Sequence, residues 1–363
     1  MILTTDSELL SQITENNEDV HNIFGKDTFS NGERMLMHGA AKVSINNMIE
    51  AARETEKHIE KHSVHFEGQN NFGLTPDASF WFNDEKGVKR EQNITDRAFQ
   101  QVSTKIGVPA GYIQKCFEAE FTDLAIENFE RWVTKRAARD IMVKSYMNNV
   151  RGIVSKDYEE FPISSTLEIV RNLVADTDYI PNQAFISPDK MNIRFVDFNP
   201  LQIPGHSDKN YAGFTVSNDV MGNGSLNIKF FLYRFACKNG MVVISKGGYI
   251  YRQTHLQLNP AAAELEIRTA FSNIQKLKDN AGMVIAESMN KRLTDDEMHD
   301  LMYKISKNAM VGQKTADKIL NFALDNYDSS KWGILNGVTE YAQRYTLDNR
   351  IMLEQAAGNL LYA

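Results

Sequence analysis

The stretch FFLYRFACKNGMVV (230–243) joins two apolar segments through a short polar one, and this pattern predicts a β-hairpin. The pair Asn239-Gly240 is predicted to form the turn. A type I′ turn needs positive φ at both central residues, and Asn-Gly adopts that conformation at little cost. Side chains of a strand alternate between its faces, so one face is predicted to be core and the other to be open to contacts. The first carries Ile228, Phe230, Leu232 and Arg234, and the second carries Lys229, Phe231, Tyr233 and Phe235.

The neighbouring segments place this hairpin in a larger sheet. Alternating apolar residues predict a strand pair over 140–147 and 151–158, a hairpin over 184–196 and further strands up to residue 255. Helical periodicity dominates the first 60 residues, where we expect a helix over about 43–62, and the chain from Pro260 onward. The prediction is an α+β fold, with a central mixed or antiparallel sheet flanked by N-terminal helices and a C-terminal helical region.

The same pattern divides the chain into three expected regions. They are an acidic helical region with a short strand pair (1–93), a central α+β domain with a basic strand-rich core (94–258) and a helical region (259–363).

Several helix ends carry capping residues. Thr95 is predicted to begin a helix that Gly107 ends, and Thr294 with Glu297 forms a capping box. A serine cap is predicted for the helix over 164–176. The helix over 121–137 is predicted to bury one apolar stripe, which consists of Phe121, Leu124, Ala125, Phe129 and Trp132.

Composition excludes several classes of protein. The 363 residues contain 40 Lys plus Arg and 47 Asp plus Glu, for a net charge of −7, so an overall basic coat is absent. Cys116 and Cys237 are too few for a disulfide framework and favour a reducing compartment. The N-terminus lacks a signal-peptide pattern, and no apolar run approaches the roughly 18 residues needed to span a bilayer. We therefore expect a cytoplasmic protein without membrane contacts.

One window is rich in cations and aromatic rings. No acidic residue lies between Asp219 and Glu264. Single-stranded nucleic acid is held by such a combination, because cations contact phosphates and rings stack on bases. The alternative is that the rings belong to the core. The candidate nucleic-acid-binding residues are Lys144, Arg151, Lys229, Phe231, Tyr233, Arg234, Lys238, Lys246, Tyr251, Arg252 and His255.

Signals for catalysis are weak. His58, His62 and His65 have the spacing of one helix face, where they could ligate a metal, but a solvated polar face is favoured. The chain has no Walker A loop, no GxGxxG motif opening a helix and no GxSxG motif. We expect no metal, cofactor or catalytic residue, and a binding protein is favoured over an enzyme.

Four segments resemble the phage and plasmid family known as domain of unknown function number 932. They are ITDRAFQQVSTKIGVPAGYI (94–113), VRGIVSKDYEEF (150–161), GFTVSNDVMGNGSLNIKFFLYRFACKNGMVV (213–243) with His255 after it, and WGILNGVTEYAQR (332–344). The family usually continues the last segment with Asp-His, where this chain has Gln343 and Arg344. The resemblance implies an accessory protein of a mobile element, often found beside genes for single-strand DNA binding and anti-restriction.

Residues and resemblance together favour a mobile-element protein that binds single-stranded DNA, with a role in strand annealing or recombination and with self-association. The alternative is a protein-binding anti-defence factor, or another phage accessory factor without catalysis, whose partner is a host protein. A metal-dependent nuclease is the least supported hypothesis, because no complete set of catalytic residues is present.

Overall fold

A computed structural model describes residues 31–66, 71–135, 139–206, 209–234, 239–243, 251–255 and 259–361. Within these ranges the chain has two sheets with helices before, between and after them, which confirms the α+β prediction. No described helix is long and apolar enough to cross a membrane.

The first sheet has six strands in the order β1-β5-β6-β4-β3-β2. The strands are β1 (Ile59–Phe66), β2 (Phe72–Leu74), β3 (Phe80–Asn83), β4 (Lys89–Ile94), β5 (Arg139–Tyr146) and β6 (Asn149–Ser155). β4 pairs in parallel with β6, and the other pairs are antiparallel. The long helix α1 (Asn31–Lys57) precedes this sheet.

Three helices between β4 and β5 cover the first sheet. They are α2 (Asp96–Ile106), α3 (Ala110–Glu118) and α4 (Thr122–Thr134). Phe99 and Phe129 from these helices join Phe72, Phe80 and Phe82 of the strands in one buried cluster.

The second sheet is antiparallel, in the order β11-β10-β9-β8-β7, with β12 also paired to β10. Helix α5 (Ile163–Val174) precedes it. The strands are β7 (Tyr179–Ile186), β8 (Lys190–Asp197), β9 (Asn210–Asp219), β10 (Leu226–Arg234), β11 (Asn239–Val243) and β12 (Tyr251–Gln253).

Helices complete the C-terminal part of the chain. They are α6 (Pro260–Asn290), α7 (Asp295–Ala309), α8 (Gln313–Asn326), α9 (Lys331–Tyr341), a short 3₁₀ turn (Ala342–Arg344) and α10 (Leu347–Leu361). Ile228, Phe230 and Leu232 lie in one buried cluster with residues of these helices, so the predicted core face of β10 is confirmed.

Most helix caps follow the prediction. The Thr95 hydroxyl accepts a bond from the backbone N–H of Ala98, Gly107 ends α2 at φ +83°, and Thr294 with Glu297 forms the capping box. The serine cap of α5 was wrong. Pro162 occupies the cap position, and the Glu56 carboxylate of α1 accepts bonds from the Ser164 backbone N–H (3.0 Å) and hydroxyl (2.6 Å) instead.

The predicted buried stripe of α4 was only partly right, because it joined residues of the buried face to residues of a neighbouring exposed face. The buried face carries Ala125, Phe129 and Val133, spaced by one helical turn. Phe121, Leu124 and Trp132 lie outside it and are 61%, 44% and 38% exposed.

The hairpin of residues 230–243 forms, but its turn was wrongly placed. Asn239 pairs with Arg234 and Gly240 pairs with Tyr233, so both residues belong to β11, and residues 235–238 lie outside the described residues. This register sets Met241, Val242 and Val243 opposite Leu232, Phe231 and Phe230. The backbone register of the two strands therefore does not follow the local turn preference of Asn-Gly.

One further prediction needs correction. His62 and His65 lie on strand β1 rather than on a helix face, since α1 ends at Lys57. The expected boundary between residues 93 and 94 lies in strand β4, which pairs with β6. The region expected over 94–258 therefore contributes strands to both sheets.

A polar sheet face and the junction behind it

The face of the second sheet opposite the core carries two rows of polar side chains. In the first row Arg194 of β8 lies opposite Thr215 of β9, which lies opposite Lys229 of β10. In the second row Asn192, Ser217, Asn227 and Arg252 lie opposite one another on β8, β9, β10 and β12. We call these seven residues the polar face.

The exposed member of the polar face lies at one end of the second row. Arg194 and Thr215 are each 4% exposed, Lys229 is 9% exposed and Asn227 is 8% exposed, whereas Asn192 and Ser217 are half-buried and Arg252 is exposed. The Arg252 guanidinium donates from Nε to the Ser225 hydroxyl at 3.3 Å. Burial lowers the pKa of Lys229 to about 8, and the nearby charge of Arg252 adds to that shift. An exposed cation therefore lies beside a recessed one.

Helix α10 packs beside the first row. The fully buried Glu354 carboxylate accepts bonds from the guanidinium of Arg194, from Arg350 Nε (2.9 Å) and from Gln343 Nε2 (3.1 Å). The Arg194 guanidinium also lies 5.6 Å from the centroid of the Phe231 ring. This helix brings an acidic counter-charge to a face on which the strands themselves place cations.

The predicted stacking platform is not formed by the rings that the structure describes. Phe231 is fully buried and Tyr251 is 7% exposed, whereas stacking on a base needs an exposed ring. Tyr251 also belongs to the core cluster. The side chains of Tyr233 and Arg234 lie outside the described residues although their backbone belongs to β10, and Lys238 and Lys246 lie outside them entirely.

Phe231 packs directly over Gly213, its partner on β9. A Cβ at Gly213 would lie 2.4 Å from the Phe195 carbonyl oxygen and 2.6 Å from Phe231 Cζ. We expect Gly213→Ala to lower the free energy of unfolding by about 1–3 kcal/mol, because the backbone carbonyl cannot move aside cheaply. Urea denaturation measures this. Gly111→Ala is the control, since nothing lies within 4 Å of that position in α3 and stability should rise.

The turn between β9 and β10 is held by three side chains, which come from α2, from β5 and from the segment that follows β6. Tyr158 OH donates to the Asp219 carbonyl (3.1 Å), Lys144 Nζ to the Val220 carbonyl (2.6 Å) and Gln101 Nε2 to the Met221 carbonyl (2.8 Å). Three successive carbonyls are thus satisfied from outside the second sheet, and we call this contact the junction.

The junction contains a buried lysine. Lys144 is fully buried, with Nζ 3.4 Å from the Glu160 carboxylate and 5.0 Å from the centroid of the Tyr158 ring. Burial lowers the pKa of Lys144. Although burial alone would raise it, Lys144 and Lys61 hold the pKa of the Glu160 carboxyl below its usual range. Lys144 is therefore committed to the junction and cannot reach a phosphate at the surface.

Arg151 and His255, two further candidate residues, contact residues in and around the junction. Arg151 Nη1 lies 3.3 Å from the Asp189 carboxylate, in the turn between β7 and β8. His255 is 2% exposed and stacks on Tyr158 at 5.0 Å between centroids. Of the predicted phosphate contacts that the structure describes, it leaves Arg252 at the surface, with Lys229 recessed beside it.

His255 makes the junction acid-sensitive. Neither of its ring nitrogens has a hydrogen-bond partner among the described residues, and burial lowers its pKa to about 4. Above about pH 6.5 the ring is neutral in both the folded and the unfolded state. As pH falls from there toward 4, the unfolded chain takes up a proton that the folded chain refuses, so stability falls.

We therefore expect His255→Phe, which keeps a ring against Tyr158, to flatten the loss of stability between pH 6.5 and 4. Urea midpoints at several pH values measure this, with His58→Phe, on an exposed histidine, as control. Parallel pH profiles for wild type and His255→Phe would contradict the assignment.

The described residues contain no group of three or more His, Cys, Asp or Glu side chains placed to hold a metal ion. The Glu160 carboxylate forms ion pairs with Lys61 and Lys144. Cys116 is buried, and Cys237 lies outside the described residues.

Five members of the polar face were missing from the sequence-based candidates: Asn192, Arg194, Thr215, Ser217 and Asn227. Each falls on a non-core position of β8, β9 or β10. The alternation of apolar residues in 191–196 and 212–216 marks these non-core positions, so the sequence could have added residues of β8 and β9 to the candidates on β10.

Comparison with known proteins gives one match. A family model described as a domain of unknown function (DUF932) matches residues 150–358. No curated protein and no solved structure matches the chain. The matched region contains both rows of the polar face and, from the junction, Tyr158, Glu160 and His255, whereas Gln101 and Lys144 precede it.

Proposed function

Because the chain belongs to the DUF932 family, whose description names no activity, we propose from the geometry that it binds single-stranded nucleic acid through phosphates at the polar face. The observation that carries this proposal is the second row, where Asn192, Ser217, Asn227 and the exposed Arg252 cross four adjacent strands with Lys229 beside them.

Phosphates rather than bases are the expected contacts. The rings of Phe231 and Tyr251 are buried, so bases cannot stack on them. Hydroxyl, amide and guanidinium groups are the usual partners of phosphate and sugar, and they carry no base information directly. Binding should therefore depend little on sequence.

A single strand suits this face better than a duplex. Lys229 is recessed next to Arg252, and a flexible strand can bend a phosphate toward a recessed cation, whereas bending a stiff duplex costs several kcal/mol. Holding a strand by its phosphates leaves the bases free to pair, which is compatible with the annealing role expected from the resemblance.

Fluorescence anisotropy with a labelled 20-nucleotide single strand tests the proposal. Affinity should fall as salt rises, because each neutralised phosphate releases counterions. Absence of binding at low salt, or binding that is insensitive to salt, would contradict it. A duplex of the same sequence should bind more weakly.

A charge reversal locates the interface. We expect Arg252→Glu to weaken single-strand binding by at least about tenfold at low salt and to reduce the salt slope by about one. Arg268→Glu is the matched control, because Arg268 is an exposed arginine of α6 with 45% of its side chain accessible and pairs with Glu264 of its own helix. Equal losses for the two variants would indicate a general charge effect.

A second candidate, a protein-binding factor, is favoured by an exposed apolar strip on α3 and α4. Tyr112, Phe121, Leu124 and Trp132 are 44%, 61%, 44% and 38% exposed, and Asn128 Nδ2 lies 3.4 Å from Tyr112 OH between the two helices. The partner would be a host protein or a second copy of the chain. Light scattering of wild type and of a Phe121→Ser, Trp132→Ser variant separates these alternatives, since only self-association changes the mass of the purified protein.

A further inference from the structure

The first row of the polar face has buried hydrogen-bonding groups without partners. The Thr215 hydroxyl and Arg194 Nε have no hydrogen-bond partner among the described residues, and each residue is 4% exposed. Buried polar groups are normally satisfied, because an unmade hydrogen bond costs about 1–3 kcal/mol. Two such groups directly opposite each other, on β8 and β9, indicate a missing partner.

The row places two cations, one on either side of a single hydroxyl. Adjacent strands lie about 4.8 Å apart, so Arg194 and Lys229 are about 10 Å apart at the backbone with Thr215 between them. Each cation has a side chain about as long as the distance between adjacent strands, whereas the threonine between them is short. Glu354 occupies the terminal nitrogens of Arg194 and leaves Nε unused.

We propose that Arg194, Thr215 and Lys229 bind a phosphomonoester group, which on the proposed function is the terminal phosphate of a single strand. A monoester carries close to two negative charges at pH 7, as a phosphorylated side chain does, whereas a diester carries one. The row is also nearly inaccessible, since its three members are 4–9% exposed, and a strand end needs less access than a continuous strand. Arg252 then contacts the next phosphate at the surface.

The neighbouring row adds a group that suits a strand end. Asn227 Oδ1 is buried and has no partner among the described residues. As an acceptor it repels phosphate oxygens but can accept a bond from a sugar hydroxyl.

Thr215→Val is the test variant because it removes the hydroxyl and keeps the branched shape. Without ligand, loss of an unpartnered buried hydroxyl should leave stability unchanged or raise it. Thr104→Val is the control, since Thr104 is an exposed residue of α2 whose hydroxyl donates to the Gln100 carbonyl. Anisotropy is measured with internally labelled strands of one sequence that carry a 5′-phosphate, a 3′-phosphate or hydroxyls at both ends. Thermal unfolding with inorganic phosphate, using sulfate at equal ionic strength as reference, provides a second readout.

We expect one phosphorylated end to bind about tenfold more tightly than hydroxyl ends, as one added charge-assisted hydrogen bond allows. Thr215→Val should abolish the preference and Thr104→Val should keep it. Equal binding of all three strands by wild type would overturn the inference and leave the proposed function standing. A phosphate-specific rise in the unfolding temperature that Thr215→Val removes, without binding of any strand, would support the site and refute nucleic-acid binding. Absence of both effects would refute both.

Discussion

Replacement of Glu354 by leucine is expected to lower the free energy of unfolding by about 3–5 kcal/mol, which is the usual cost of removing one partner from a buried ion pair. Glu354 is fully buried and Arg194 is 4% exposed, so the arginine would keep its charge without its counter-ion. Arg350 and Gln343 lose the same acceptor. Urea denaturation, with the slope compared between variants, measures the loss.

The double variant Arg194→Met, Glu354→Leu separates the ion pair from simple packing. Replacing a buried pair by apolar residues of similar volume is often neutral. We therefore expect the double variant to regain most of the stability lost by Glu354→Leu. If both variants are equally destabilised, the contact between α10 and β8 depends on packing rather than on charge compensation.

Replacement of Lys144 by methionine is expected to lower the free energy of unfolding by about 3 kcal/mol. The change leaves the Val220 carbonyl without its bond from Nζ and removes one of the two cations beside Glu160. A buried acceptor left unsatisfied costs about 1–3 kcal/mol, and a partly buried carboxylate that loses a partner adds to this. The turn between β9 and β10 should loosen, which amide exchange at Val220 and Met221 would detect.

Lys156→Met is the matched control for this variant. Lys156 follows β6, its side chain is 62% exposed, and its Nζ lies 3.4 Å from Asp140. Exposed pairs contribute little to stability, so the urea midpoint should not change measurably. Similar losses for Lys156→Met and Lys144→Met would contradict a special role for the buried lysine.

Periodicity predicted the fold wherever burial acts along one segment. The hairpin of β7 and β8, the pair of β5 and β6 and the caps of α2 and α7 follow from alternation and capping residues. The predicted turn at Asn239-Gly240 was wrong, because both residues pair with β10 as part of β11. The prediction that His58, His62 and His65 share one helix face was wrong, because a spacing of three and four does not reveal that the helix ends at Lys57.

The site was less predictable because it depends on contacts between distant segments. Alternation placed Lys229 and Phe231 on the non-core face, which the register confirms. It could not show that α10, more than 100 residues later, brings Glu354 against Arg194 on that face. Likewise, the basic residues near Lys144 in the sequence do not reveal that Lys144 is buried against the β9–β10 turn.

The most direct test of the central claim uses a single-stranded oligonucleotide that carries a photo-crosslinking group on its phosphate backbone. The oligonucleotide is crosslinked to the full chain, and peptide mapping locates the crosslinks. If the polar face holds the strand, crosslinks should fall in residues 190–197, 210–219, 226–234 and 251–255, and Arg252→Glu should abolish them while Arg268→Glu does not. Crosslinks confined to the apolar strip of α3 and α4 or to helices α6 to α9, or their persistence in Arg252→Glu, would contradict the account.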